Sequence, residues 1–241
     1  MNFSPSTDDA TTGTATAALP AVVLFDVNET LSDMSSMGKR FAAVGADENL
    51  AGTWFASVLR DGFALTVTGV NPAFAELGRE ALRVSLSGQV DDVDTAVEHV
   101  MSGFDALGVH PDVVEGVRAL QQLGIRLVTL SNGSASVARA LFDRAGITDA
   151  FSRLLSVEDA PAWKPAPAAY AHALEVCGTP ASHAMLVAVH PWDLHGAHQA
   201  GLRTAWVNRS GSSYPSSFGT PDLEVASLID LAARLGGNTG P

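Results

Sequence analysis

The sequence predicts an α/β fold, a doubly wound parallel sheet that carries a helical insert. Three observations lead to this prediction. Short apolar runs alternate with amphipathic segments of helical periodicity, most of those segments end at a glycine, and one long interval shows helical periodicity without a comparable strand. Such alternation is typical of parallel strands that are joined by right-handed helical crossovers.

The predicted strands are apolar runs without polar alternation, which is the pattern of a parallel sheet buried on both faces. They are AVVLFD at 21–26, IRLVTLSN at 125–132, AMLVAV at 184–189 and RTAWVN at 203–208.

The predicted helices lie between these strands. One opens with a Pro-Asp pair, and the other three are followed by a glycine, which adopts the left-handed conformation of a helix C-terminus at little cost. They span 111–123, 134–145 before Gly146, 166–177 before Gly178, and 192–200 before Gly201.

The interval 34–110 breaks the alternation, because segments such as LAGTWFASVLRDGFALTV place apolar residues at helical spacing. We expect an all-helical cap there, over the edge of the sheet where open α/β folds bind ligands. The expected domains are a disordered leader at 1–19, an α/β core at 20–33 and 111–235, the cap at 34–110, and a flexible tail at 236–241.

The composition excludes several kinds of partner and site. The chain has 241 residues and a formal net charge of -12 with only 14 Lys and Arg residues, whereas nucleic acids and anionic membranes attract clustered basic residues. Cys177 is the single cysteine, which excludes an intramolecular disulfide and a Cys-rich metal site. With one cysteine, a cytoplasmic location fits, and no stretch reaches the roughly 18 apolar residues of a membrane span.

Polar side chains follow three of the predicted strands. Asp26 ends the first strand, Ser131 and Asn132 end the second, and Asp193 follows the third by a few residues. The carboxyl ends of parallel strands share one edge of the sheet, so we expect these side chains to converge beneath the cap. Each of them alone is more often a turn residue or a helix cap, and Lys164 alone is more often a surface lysine.

Four ordered motifs carry these residues. They are FDVNETL with Asp26 and Thr30, TLSNGS with Ser131, WKPAPAAY with Lys164, and VAVHPWD with Asp193. In this order they resemble the haloacid dehalogenase superfamily over essentially all of residues 20–210. The resemblance implies a Rossmann-like core with a cap, and a hydrolase whose nucleophile is Asp26.

Most members of that superfamily are phosphatases, and two positions argue against a phosphatase here. Such an enzyme would carry an acid/base aspartate two positions after its nucleophile and a carboxylate pair that holds Mg²⁺. Asn28 stands at the first position, and Val189 stands four residues before Asp193, where the partner carboxylate is expected. Asparagine does not transfer protons near neutral pH, and two carboxylates alone would hold Mg²⁺ poorly.

The resemblance is greatest to the (S)-2-haloacid dehalogenase type II branch, through FDVNETLSD, TLSNGS and the Trp-Asp pair of HPWD. It implies that Asp26 displaces halide from a small 2-haloalkanoic acid. Water then hydrolyses the aspartyl ester to the 2-hydroxy acid, without a metal or another cofactor. Lys164 is expected to hold Asp26 ionised and oriented, and Thr30 to donate an orienting hydrogen bond.

The resemblance also implies how substrate and water are bound. Ser131 and Asn132 are expected to donate hydrogen bonds to the substrate carboxylate, with Asn28 beside them. Asp193 is expected to be the base for water. His190 stands where relatives usually carry asparagine, and it would either orient water or share the role of base. A packed histidine bonded to a backbone carbonyl is an equal alternative.

Three further residues are candidates for the substrate site. Tyr170, six positions after Lys164, matches a family tyrosine that hydrogen-bonds inside the site, although core packing explains it as well. Trp192 would contribute an apolar wall. Arg60, one helical turn after the TWF segment, would replace the halide-binding arginine of the family, and a solvated arginine is at least as well supported.

Three alternatives stay open from the sequence. The first is a hydrolase that opens the ring of a small cyclic amino acid of the azetidine-2-carboxylate type, the second is a phosphatase, and the third is a non-enzymatic binding protein. The expected partners are a small 2-substituted carboxylic acid and water, with no nucleic acid and no membrane. A homodimer is compatible with the resemblance.

Overall fold

The computed structural model of the chain describes residues 18–237. The expected leader at 1–19 and tail at 236–241 therefore lie outside the described residues, except for 18–19 and for Gly236 and Gly237, which end the last helix. No helix between residues 18 and 237 is both long enough and apolar enough to cross a bilayer.

A parallel sheet of six strands forms the centre of the protein, in the order β5-β4-β1-β6-β7-β8. Its strands alternate with helices along the chain, so the doubly wound α/β prediction is confirmed. The strands are β1 Val22–Phe25, β2 Ser32–Asp33, β3 Gly108–Val109, β4 Arg126–Ser131, β5 Phe151–Ser156, β6 Ala184–Ala188, β7 Arg203–Val207 and β8 Leu223–Val225, of which β2 and β3 form a separate antiparallel pair.

The helices cover both faces of this sheet. Alternate side chains of β1 enter two cores, with Val22 and Leu24 on one face and Val23 and Phe25 on the other. The helices are α1 Met37–Ala43, α2 Leu50–Val67, α3 Phe74–Leu86, α4 Val93–Asp105, α5 Val113–Gln122, α6 Ala135–Ala145, α7 Pro167–Cys177, α8 Pro191–Gln199 and α9 Leu228–Gly237.

The four predicted strands and the four predicted helices are all present, with ends that differ by one or two residues. Two strands of the six-stranded sheet escaped prediction. In β5 the central Ser152 and Arg153 are exposed, and β8 has three residues, so neither shows a continuous apolar run. Both lie at the edges of the sheet, where one side of the strand meets solvent and the apolar pattern weakens.

The interval 34–110 contains α1 to α4, as its periodicity predicts. It is not entirely helical, because Gly108 and Val109 form β3 and pair with Asp33 and Ser32 of β2. This two-residue ribbon escaped prediction because it is too short to show alternation. It joins the two points where the chain leaves and re-enters the sheet region.

The helical interval packs on the loop that carries Lys164. Trp163 is fully buried, and its indole N–H donates to the carbonyl of Pro72 over 2.9 Å. A Cβ atom on Gly62 of α2 would lie 2.4 Å from the Trp163 ring, so only glycine permits this contact. The amide of Asn71 also donates to the carbonyls of Val157 and Ala160. The insert therefore fixes the backbone next to Lys164.

Candidate active site

Asp26 follows β1 directly and is almost completely buried, with 3 % of the residue exposed. Its backbone N–H still donates to Val187 of β6, which fixes the end of the strand. The two carboxylate oxygens have different partners. Oδ1 accepts from Lys164 Nζ over 2.9 Å, whereas Oδ2 accepts from the Thr30 hydroxyl over 2.7 Å and lies 2.9 Å from His190 Nδ1.

Lys164 lies at the centre of the cluster and has no exposed surface. Its Nζ donates to Asp26 Oδ1 and, over 2.5 Å, to Asp193 Oδ2. The side-chain amide of Asn132 holds the backbone of Lys164. Its Oδ1 accepts from the Lys164 N–H, and its Nδ2 donates to the Lys164 carbonyl. The end of β4 thereby aligns the lysine with two carboxylates from β1 and α8.

Asp193 lies in the first turn of α8 and is also fully buried. Its Oδ1 accepts a hydrogen bond of 2.6 Å from the Tyr170 hydroxyl. Tyr170 belongs to α7, and the contact requires Gly196, because a Cβ there would lie 2.7 Å from the hydroxyl oxygen. Helix α8, Tyr170 of α7 and the loop that carries Lys164 thus hold this carboxylate in one position.

Burial and charge separate the pKa values of the two carboxyls. Burial raises the pKa of Asp26, but the Lys164 ammonium and the hydrogen bonds from His190 and Thr30 outweigh it, so that this pKa lies well below the ordinary value. Burial and the neighbouring Asp26 charge raise the pKa of Asp193 despite its contact with Lys164. Asp26 is therefore the stable anion, and Asp193 is the more basic carboxylate.

Lys164 remains a cation in this setting. Burial lowers its pKa, but the charges of Asp193 and Asp26 outweigh burial, and the pKa of Lys164 lies above its ordinary value. A buried ammonium with two carboxylate partners is the arrangement that makes such burial tolerable.

Thr30 is oriented as well as buried. Its Oγ1 accepts from the backbone N–H of Val189 over 3.1 Å, which leaves the hydroxyl hydrogen to point at Asp26 Oδ2. The position of Thr30, four residues after Asp26 and within the turn that follows β1, makes this contact local in sequence.

His190 lies between two carboxylates, not against a backbone carbonyl. Nδ1 lies 2.9 Å from Asp26 Oδ2, and Nε2 lies 2.8 Å from Glu29 Oε2. The ring stacks between Trp192, with centroids 5.0 Å apart, and Phe55, at 6.4 Å. Burial lowers its pKa, but the hydrogen bonds to Asp26 and Glu29 outweigh burial and raise it to about 9. A cationic imidazole donates hydrogen bonds from both ring nitrogens, and the role of His190 stays a prediction.

Ser131, at the end of β4, and Asn28, two residues after Asp26, lie close together. Both line a cavity of about 30 Å³ with Gly133 and Phe74. The Ser131 Oγ accepts from the Gly133 N–H over 2.9 Å, which leaves its own hydrogen available to a ligand. The cavity also reaches Ser134, whose hydroxyl caps the N-terminus of α6.

Three residues predicted at the substrate site have protein partners in the structure. Arg60 does not reach the site, because its side chain is 70 % exposed and pairs with Asp61 on the outer surface of α2. Asn132 contacts the backbone of Lys164 and not the open space beside Ser131. Tyr170 contacts Asp193 and is wholly enclosed. The last two residues hold other site residues in place.

Trp192 lies where an apolar wall is expected. Its ring centroid lies 5.9 Å from Lys164 Nζ and 5.0 Å from that of Phe63 on α2. The two rings bring the helical insert and α8 together above the cluster.

Glu29 is a site residue that the sequence did not reveal. Its φ of 61° is the single positive value at a residue other than glycine between residues 18 and 237. Its side chain contacts His190, and its backbone carbonyl accepts from His110 Nε2 over 2.9 Å. A glutamate in a turn looks like a solvated surface residue, so no sequence signal identified it.

A larger cavity, of about 550 Å³, lies beyond His190. Glu29, His190, Phe55 and Trp206 are among its lining residues. Asp26 is not part of the lining, so the imidazole separates this space from the buried carboxylate.

The donor set does not fit a divalent cation. The Lys164 ammonium lies between the two buried carboxylates, in the place where a metal would neutralise them. Val189 contributes no oxygen from its side chain. Within residues 18–237 no group of three or more His, Cys, Asp or Glu side chains is placed to hold a metal ion.

Comparison with known proteins adds a family match. A model described as "Hydrolase: haloacid dehalogenase-like hydrolase" matches residues 20–201 of the chain. The chain is 29% identical over 218 residues to an (S)-2-haloacid dehalogenase of Pseudomonas sp. (strain YL), which covers 86% of the chain and 90% of that protein. It is 30% identical to haloacetate dehalogenase H-2 of Moraxella sp. (strain B), across 88% of the chain and 96% of that protein.

Solved structures show the same similarity. The L-2-haloacid dehalogenase RSc1362 superposes with a TM-score of 0.85 at 27% identity, over 91% of the chain and 100% of that protein. An L-2-haloacid dehalogenase from Xanthobacter autotrophicus with chloropropionic acid covalently bound has a TM-score of 0.80 at 26% identity, over 91% and 99%.

Proposed function

The chain belongs to the haloacid dehalogenase-like hydrolases, and we propose that it hydrolyses the carbon–halogen bond of a small 2-haloalkanoic acid to give the 2-hydroxy acid and halide. The observation that carries this proposal is the Lys164 ammonium shared by Asp26 and Asp193. The ammonium keeps Asp26 ionised as the nucleophile and holds Asp193, the more basic carboxylate, next to it in the same buried cluster. The names of the similar proteins support the same reaction class.

In the first step Oδ1 of Asp26 attacks the carbon that carries the halogen. This oxygen accepts one hydrogen bond, from Lys164, whereas Oδ2 has two partners, so Oδ1 keeps the freer lone pairs. The new C–O bond forms as the carbon–halogen bond breaks, and halide leaves with the electron pair. The product of this step is an ester of Asp26.

In the second step water attacks Cγ of that ester. Asp193 accepts the proton, because its raised pKa makes it the better base of the two carboxyls. Asp193 then returns this proton to Oδ1 as the bond between Cγ and Oδ1 breaks, and the 2-hydroxy acid leaves with the former Asp26 oxygen. The second proton of the water passes from the regenerated Asp26 carboxyl to solvent. The oxygen of the water remains in the Asp26 carboxylate.

The substrate carboxylate is placed by donors at the end of β4. The free hydrogen of the Ser131 hydroxyl and the N-terminus of α6 both face this space, and helix N-termini favour anions. Asn28 lines the same cavity. Trp192 and Phe63 exclude water from the reacting carbon, which strengthens the charge interactions within the site.

Residues 34–110 act as a cap in this proposal. The space beside Ser131 is about 30 Å³, which is enough for water but not for a haloacid. Substrate entry therefore requires the helical interval to separate from the sheet edge, and closure returns Trp163 to its contact with Gly62.

No divalent cation takes part in this mechanism. The Lys164 ammonium supplies the positive charge that a phosphatase of this fold would take from Mg²⁺. Activity is therefore expected to persist in the presence of a chelator.

The experiment measures halide and phosphate release from each 2-chloropropionate enantiomer and from a panel of phosphate esters, with EDTA or with Mg²⁺. Chloride release in EDTA is the expected result, and Asp26→Asn should abolish it. Asp91→Asn removes an exposed carboxyl and serves as the matched control. Phosphate release that depends on Mg²⁺, without chloride release, would overturn the proposal.

A single turnover in ¹⁸O-labelled water tests the ester directly. The label is expected in Asp26, read by mass spectrometry of the peptide, while the product hydroxyl stays unlabelled. A labelled product and an unlabelled Asp26 would contradict the covalent route.

One observation favours a second candidate, which is ring opening of a small cyclic amino acid such as azetidine-2-carboxylate. Among the residues that the structure describes, no arginine lines the cavity beside Ser131, and Arg60, the candidate for binding a departing halide, is exposed on α2. The same carboxylate could displace a ring nitrogen. Azetidine-2-carboxylate belongs in the same assay, and consumption of this compound without chloride release from the haloacids would select the second candidate.

A further inference from the structure

The His190 ring is held by two carboxylates that come from the turn after β1. Nδ1 lies 2.9 Å from Asp26 Oδ2, and Nε2 lies 2.8 Å from Glu29 Oε2. An ionised carboxylate only accepts hydrogen bonds, so both ring nitrogens must carry a hydrogen for both contacts to form. The geometry itself thus specifies an imidazolium.

The Glu29 backbone shows that this contact has a conformational cost. Its φ of 61° lies in the left-handed region, where glycine or asparagine is usual and a long side chain is uncommon. Such outliers persist when surrounding structure requires them, and they cluster at functional sites. At Glu29 the turn directs the carboxylate towards His190.

Oδ2 of Asp26 lies between two fixed donors. The Thr30 hydroxyl oxygen is 2.7 Å away, and because it accepts from the Val189 N–H, its own hydrogen points at Oδ2. His190 Nδ1 is 2.9 Å away, and its ring is stacked between Phe55 and Trp192. Two preorganised donors at 2.7–2.9 Å are the arrangement that stabilises an oxyanion in acyl chemistry.

We propose that Thr30 and His190 form the oxyanion site for hydrolysis of the Asp26 ester, and that Glu29 is the positioning residue that keeps His190 cationic and aligned. This inference rests on the proposed function, because it concerns the second step of that reaction. It assigns to Glu29 a role in hydrolysis of the ester rather than in its formation.

The electron balance fits this assignment. When water attacks Cγ, its proton passes to Asp193, and the pair of the Cγ–Oδ2 double bond moves onto Oδ2. The new negative charge on Oδ2 is stabilised by hydrogen bonds from the O–H of Thr30 and the N–H of His190. As the tetrahedral intermediate collapses, the pair returns to the double bond, the Cγ–Oδ1 bond breaks, and Asp193 returns its proton to Oδ1 of the leaving 2-hydroxy acid. No oxidant, reductant or further reactant is needed.

Several charged groups face His190. Asp26 lies at the end of β1, Glu29 in the following turn, and the Lys164 ammonium behind Asp26, where it also contacts Asp193. The α2 and α8 sides of the ring are covered by Phe55 and Trp192, which carry no charge. Once Asp26 is esterified it is no longer an anion, so Glu29 becomes the one carboxylate in contact with the imidazolium.

The test compares Glu29→Gln with the wild-type enzyme. Glutamine can still accept from Nε2 but removes the charge, so kcat should fall on the order of tenfold while KM changes little, a smaller effect than direct loss of an oxyanion donor. Rapid quench with mass spectrometry should show the Asp26 ester accumulating after an unchanged first release of halide. The decline of kcat at high pH should begin at a lower pH, because an imidazolium without Glu29 loses its proton more readily.

Three further variants complete this design. Glu29→Asp keeps the charge and should restore part of kcat, whereas Glu29→Gly relaxes the backbone and should fold normally while losing kcat as Glu29→Gln does. Glu115→Gln, on the exposed side of α5, is the control and should behave as wild type. Unchanged kcat and pH profile in Glu29→Gln, or a halide burst reduced as much as kcat, would overturn the inference.

An NMR titration of His190 needs no turnover and separates the two proposals. The resonance is assigned by its loss in His190→Gln. A pKa in Glu29→Gln that is lower than in the wild-type protein supports the positioning role, even if no haloacid is hydrolysed and the proposed function fails. An unchanged pKa rejects the role of Glu29 while leaving the dehalogenase proposal intact.

Discussion

Lys164 and Asp26 are separated by 138 positions in the chain, yet the Lys164 ammonium donates to Asp26 Oδ1 over 2.9 Å. The lysine follows Trp163, which packs against Gly62 of α2. The helical insert and the sheet therefore both determine where the ammonium lies. Charge at the site and packing of the insert depend on the same short loop.

Replacement of Lys164 by methionine is expected to destabilise the protein by about 3–5 kcal/mol, because two buried carboxylates then lack their cation. One of them should take up a proton near neutral pH, and turnover should be lost. Lys39→Met, at the chain's other lysine, which is exposed on α1, is the matched control. Urea unfolding measures the free energy, and an effect no larger than that of Lys39→Met would contradict the prediction.

Stability should fall as pH rises from about 6.5 to about 9 through the titration of His190. The pKa of this residue is raised from its ordinary 6.5 to about 9, so its stabilising contribution is complete below the lower value and is lost above the higher one. The loss amounts to roughly 3 kcal/mol for a shift of this size. The free energy of unfolding, measured across this range, should fall more steeply in the wild-type protein than in His190→Gln. Parallel curves would show that His190 is not the titrating group.

Gly62→Ala should loosen the contact between the helical insert and the Lys164 loop. The added Cβ would lie 2.4 Å from the rigid Trp163 ring, and overpacking of this kind costs about 1–3 kcal/mol. Gly52→Ala, in the same helix with no atom within 4 Å of its Cβ, is the control and should be neutral or stabilising. Thermal unfolding compares the two, and equal melting temperatures would be the contrary outcome.

Tyr170→Phe should shift the acidic limb of the kcat profile towards higher pH. The Tyr170 hydroxyl lowers the pKa of Asp193 by its hydrogen bond, so its removal raises that pKa further and keeps the base protonated to higher pH. The buried oxygen left without its donor also costs about 1–3 kcal/mol of stability. Tyr214→Phe, half-buried beside Trp206, is the control. An acidic limb that does not move would exclude Asp193 as the base.

Arg60→Gln is expected to change halide release by less than twofold and to leave the melting temperature unchanged. The guanidinium is exposed and pairs with its neighbour Asp61, and exposed pairs of this kind contribute little. Steady-state kinetics with 2-chloropropionate measures the effect. A tenfold loss of halide release would show that Arg60 contacts the substrate.

The fold was predictable because its signals are local. The strands β1, β4, β6 and β7 are mostly apolar and buried, and Gly146 and Gly178 adopt the positive φ that ends α6 and α7. The edge strands β5 and β8 gave no such signal, since their pattern depends on which neighbour covers them. The division into core and cap remains a prediction, as do the roles of the individual site residues.

Sequence alone determined the α/β class, the helical interval and the residue types at the sheet edge, because periodicity and strand ends are properties of short segments. Only the tertiary structure decided which partners those residues have. Asn132 holds the Lys164 backbone, Arg60 turns to solvent, and Glu29 contacts His190 from a turn with positive φ. The contacts of Asn132 and Glu29 join residues that lie far apart in the sequence. Their geometry follows from tertiary packing and not from a local sequence pattern.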